Sequence, residues 1–81
     1  MSHEAILRWL RATPFQPFRF ILSNGSHYDI LHPELVVPGR SAINIGLPDN
    51  PNEALADRMA TVSLIHIAEV VPLMVGLVTE R

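Results

Sequence analysis

With 81 residues the chain has room for one domain with a shallow core, since a fold of this size buries only about 60% of the surface its unfolded chain exposes. Its 48% apolar and 17% charged residues exclude a disordered composition, and the lack of cysteine excludes a disulfide scaffold or a thiolate metal site. Eight carboxylates stand against six arginines and no lysine, a net charge of -2, which argues against the dense basic field of a general nucleic-acid binder.

The first predicted element is a short amphipathic helix over about residues 2–12. Ser2 is placed to cap it, and Glu4 sits near its positive end. Ile6, Trp9, Leu10 and Thr13 fall on one stripe, with Arg8 and Arg11 off it. Thr13-Pro14 stops the helix, because the residue before proline avoids the α region. An extended Pro14 to Phe18 segment then leads into a strand in which Phe18, Phe20 and Leu22 alternate with Arg19 and Ile21. Asn24-Gly25 predicts a type I′ hairpin, and the return strand, His27 to Leu31, places Tyr28 and Ile30 on one face and His27 and Asp29 on the other.

Pro33 interrupts this strand, which resumes over Leu35 to Val37. Pro38 to Ser41 reads as a turn and Ala42 to Leu47 as a strand with Ile43, Ile45 and Leu47 on one face. Pro48 to Arg58 is mainly a surface loop, with room for one helical turn over Glu53 to Arg58. Met59 to Leu64 is a strand, Ile65 to Ile67 a tight corner, and Ala68 to Leu73 a last strand, followed by an apolar tail over residues 74–81. The expected fold is mainly β, within a single domain: an N-terminal helix capping a small five-stranded antiparallel barrel, whose closure removes exposed edges.

Two resemblances follow from these residues. Pro14, Phe15, Pro17, Phe18, Asn24, Gly25, His32, Pro33 and Glu34 form a pattern that resembles a group of short bacterial proteins of no assigned activity. The order of helix, bent strands and late corner is similar to Sm-like (SH3-like) RNA-binding barrels, carried by Phe18 to Gly25 and by Ile67 to Pro72. The departures lie at the functional positions. The family's second glycine falls on Ile30, its loop aspartate falls on Val36 or is absent, and its basic pair falls on Leu64-Ile65, with His66 one place out of register. The resemblance implies a fold; it does not carry RNA binding with it.

The leading expectation is a non-catalytic module that binds another protein or itself. Phe15, His32 and Glu34 are its candidate contacts, together with Leu73, Met74 and Val75, whose apolar side chains need cover, most economically from a second copy. An Sm-like nucleic-acid-binding module using Arg19, Arg40, Arg58 and His66 is the alternative. A metal or small-ligand site at His27, Asp29 and His32 is the second, and no cofactor is expected. No glycine-rich phosphate cradle or nucleophile motif is present, so an enzyme is not expected. Met1-Ser2-His3-Glu4 lacks a signal-peptide pattern, and the longest apolar run, Ile67 to Val78, is broken by Glu69, Pro72 and Gly76, so we expect a cytoplasmic protein without a membrane span.

Overall fold

The computed structural model describes residues 1–73; the tail, including Met74 and Val75, lies outside the described residues. One helix, α1 (His3–Leu10), precedes six strands: β1 (Phe18–Leu22), β2 (His27–Ile30), β3 (Val36–Pro38), β4 (Ala42–Leu47), β5 (Arg58–Ser63) and β6 (Ile67–Pro72). They form two antiparallel three-stranded sheets, ordered β2-β1-β6 and β3-β4-β5. No described helix is long and apolar enough to cross a membrane.

The helix starts where its cap predicts: the Ser2 hydroxyl accepts the Ala5 N–H at 3.1 Å. Its apolar stripe turns inward, with Ile6 fully buried and Trp9 tilted against Phe18 at a ring-centroid distance of 5.2 Å. Burial of this stripe holds so short a helix in water, which its own hydrogen bonds could not do. Below it, Phe18, Phe20, Ile30 and Ile67 of the first sheet meet Val36, Ile43, Ile45 and Val62 of the second in one cluster. The two-residue spacing within β1 and β4 puts these side chains on one face.

The β1–β2 hairpin differs from the expected type I′ turn. Only Gly25 has positive φ, at 90°, and its N–H donates to the Leu22 carbonyl at 2.9 Å. Ser23, Asn24 and Gly25 therefore make a three-residue loop, and Phe20 pairs with Tyr28 and Phe18 with Ile30. A two-residue loop centred on Asn24-Gly25 would slip this register by one and set Asp29 across from Phe20. Matching of the buried faces selects the longer loop.

A closed five-stranded barrel is not what the described residues build. Pro33–Leu35 forms a 3-10 turn, with the Leu35 N–H donating to the His32 carbonyl at 3.1 Å. It lifts the chain off β2 and starts β3 in the other sheet, so the expected single interrupted strand is two strands in two sheets. A second 3-10 turn, Leu64–His66, carries the chain back from β5 to β6 at the predicted corner. Among the described residues no ladder joins the sheets, and each keeps two edges. The Pro48–Asp57 connection is a loop, turned by the Glu53 N–H on the Asn50 carbonyl and tied at its base by Asp57 N–H to Leu47. It folds against Gly46, where an added Cβ would lie 2.8 Å from that of Ala56.

Candidate functional site

The seam between the sheets opens where β2 gives way to the first 3-10 turn. Leu31, Leu35, Ile45 and Leu47 line a cleft of about 260 Å³ there, with His32 and Arg58 among its walls. The His32 Nε2 lies 2.8 Å from the Pro51 carbonyl and must carry the proton, because that oxygen can only accept. This bond pins the proline-rich loop across the cleft. On the opposite seam a larger, more open depression of about 470 Å³ runs between Tyr28 and β5, lined by Thr61, Val62, Ser63 and His66.

Asp29 also borders the cleft, but its carboxylate is engaged. Arg19, directly opposite it on β1, grips both oxygens, Nη2 to Oδ2 at 3.1 Å. The guanidinium hydrogen bonds hold the Asp29 carboxyl below its ordinary value, against a smaller opposing effect of burial, and raise the Arg19 value in turn. This pair can be found in the sequence once the hairpin register is chosen by matching Phe18 and Phe20 to Ile30 and Tyr28.

The candidate nucleic-acid residues are dispersed. Arg40 lies in the turn before β4, beside His3 and Glu4, whereas Arg58 pairs with Leu47 at the far end of that strand. At 3.4 Å per residue, the length of β4 separates them by roughly 17 Å. His66 is exposed on the second 3-10 turn, and its backbone carbonyl accepts the Ser23 hydroxyl at 3.0 Å. With Arg19 committed to Asp29, these four side chains do not form one basic patch.

The candidate metal ligands fare similarly. His27 and Asp29 share an exposed face of β2, but His32 is turned to Pro51, and no three metal-binding side chains converge among the described residues. Of the candidate interaction residues, Phe15 is half-buried and packs edge-on against Phe18, centroids 5.9 Å apart. Glu34 is exposed on the first 3-10 turn, while Leu73 is half-buried and its N–H extends the ladder to the Pro17 carbonyl at 2.9 Å.

Comparison with protein-family models, with curated proteins and with solved structures finds no match. The site has to be read from its own chemistry. What sequence patterning missed is the outer side of β5. Met59 is 59% exposed, and Ile65, just beyond the strand, is 81% exposed. Met59 sits out of phase with the inward Val62, a period-two signal that was available, but a barrel model hides that edge.

Proposed function

We propose that the protein is a non-catalytic β module that associates with a second copy of itself through the free edge of β5. The observation that carries this reading is the edge itself. β5 is six residues long, bonds to β4 alone among the described residues, and has neither a proline nor a lysine to discourage pairing. Such an edge presents a row of N–H and C=O groups to any incoming strand. Exposed Met59 and Ile65 add apolar area that a second copy would cover. Leu73 and the apolar residues that follow it in the sequence extend the same argument to the tail.

The chain's path supports kinship with the Sm-like plan, left open at its seams: strands pass between two sheets through a break after β2 and a corner after β5. The non-catalytic part of the reading carries over from the sequence, which offers no nucleophile motif. The Ser23 hydroxyl is bonded to the backbone of His66 rather than to its ring.

Light scattering coupled to gel filtration tests the association. At about 100 µM, a concentration at which a weak micromolar dimer is populated, the mass should be a multiple of the 9.0 kDa chain. The double variant Met59→Glu/Ile65→Glu should shift it to the monomer, because opposed carboxylates at a sheet edge repel. A 9.0 kDa mass for the unmodified protein sinks the proposal.

A further inference from the structure

The cleft under the His32–Pro51 bond has the size, lining and charge of a ligand site. A cavity of about 150 Å³ accommodates benzene, so by proportion this one, about 260 Å³, holds about ten non-hydrogen atoms. Leu31, Leu35, Ile45 and Leu47 give it aliphatic walls, and Gly46 lets Ala56 and Leu35 pack close against β4 beside it, where a side chain would press on both. No Phe, Tyr or Trp ring lines it, and the His32 imidazole is held on the Pro51 carbonyl, so flat ligands that bind by stacking find little platform.

Charge narrows the choice further. Three ionisable side chains border the cleft: Asp29, His32 and Arg58. Asp29 is neutralised by Arg19, and His32 is engaged by the Pro51 carbonyl. Arg58 has no carboxylate within ion-pair distance among the described residues. Its neighbour Asp57 turns instead to the Asp49 N–H, at 2.8 Å. The uncommitted charge at the cleft is therefore positive, and it sits beside an aliphatic slot.

We propose that this cleft binds a medium-chain aliphatic carboxylate, with the Arg58 guanidinium on the head group and the leucine-lined slot around the chain. An eight-carbon fatty acid, of about ten non-hydrogen atoms, fills the volume. The assignment does not rest on self-association, but the two share β5, which Arg58 opens; amide shifts at Leu31, Leu35 and Gly46 read the cleft, whereas the mass reads the edge.

Titration of the ¹⁵N-labelled protein with sodium octanoate, followed by amide chemical shifts, tests it. Saturable shifts are expected at Leu31, Leu35, Gly46 and Leu47. Arg58→Gln should weaken binding at least about tenfold, the scale of a lost hydrogen bond to a charged group, and the neutral 1-octanol should bind the unmodified protein as weakly. Arg58→Lys, which keeps the charge but loses the fork, should retain binding within about tenfold. Arg58 is exposed, so these variants keep the fold, which the rest of the spectrum reports. No saturable shift, equal binding of octanol, an unchanged Arg58→Gln, or an Arg58→Lys as weak as Arg58→Gln each overturns the proposal.

Discussion

Arg19 and Asp29 show how a surface pair within one sheet can set the charge beside a seam. Each is the other's cross-strand partner, and their bidentate contact removes a negative charge from the mouth of the cleft. The Asp29 carboxyl is held below its ordinary value of 3.8, mainly by hydrogen bonding to Arg19. A carboxyl depressed in the folded state adds stability above its unfolded value and loses that contribution as pH falls through the folded one. Asp29→Asn should therefore lower the urea midpoint near neutral pH, and the difference from the unmodified protein should shrink as pH falls below the ordinary carboxylate value and vanish once Asp29 is protonated in the folded state. A gap that persists in acid would mean that the carboxylate's charge is not what stabilises. The effect is modest, because both side chains meet solvent.

Among the elements, the β1–β2 hairpin is the clearest case of competing local signals. Asn24-Gly25 favours a tight two-residue turn, yet burial of Phe18, Phe20, Tyr28 and Ile30 on one face demands a three-residue loop with left-handed Gly25. Gly25 has open space around its Cα, so Gly25→Ala isolates the backbone effect from any clash. It should destabilise the protein by about 1–2 kcal/mol, the handedness cost of a Cβ at positive φ, measured by urea unfolding. No change would show that the loop relaxes to another form.

Much of the element list was legible because it rests on local chemistry. Ser2 caps α1, Pro33 ends β2, and the corner near His66 falls where the apolar alternation breaks. What was not legible is long-range. Whether the chain after Pro33 rejoins its old sheet or enters a new one depends on the angle of a 3-10 turn, and strand patterning does not encode that angle. The cleft was hidden for the same reason, since it exists only because the sheets part there. Of its residues, His32 was visible as an unusual neighbour of proline, and Arg58 as one scattered arginine among six.

For the molecule as a whole, the two sheets and the helix share one core cluster, so damage on either side should be felt throughout. Ile43 is fully buried on the central strand of its sheet. Ile43→Ala should cost about 2–5 kcal/mol, a large part of the stability of a small domain. Trp9 rests on Phe18 of the opposite sheet, so its fluorescence reports the far side of the core. Unfolding followed by Trp9 emission and by far-ultraviolet circular dichroism should shift together in this variant. Separate transitions would show that the sheets unfold as independent layers.

The position of β1 between β2 and β6 has a kinetic meaning as well. Its first partner lies one short loop away, but its second lies far along the chain, with Phe18 opposite Pro72. The β3-β4-β5 sheet needs only residues 36–63 and can assemble earlier. During synthesis at about 5–20 residues per second, β1 then waits about 3–10 s for β6 to emerge. That order predicts a nascent hairpin with its Phe18 and Phe20 face open to chaperone capture or misassembly, and completion of the first sheet as the slow step of folding.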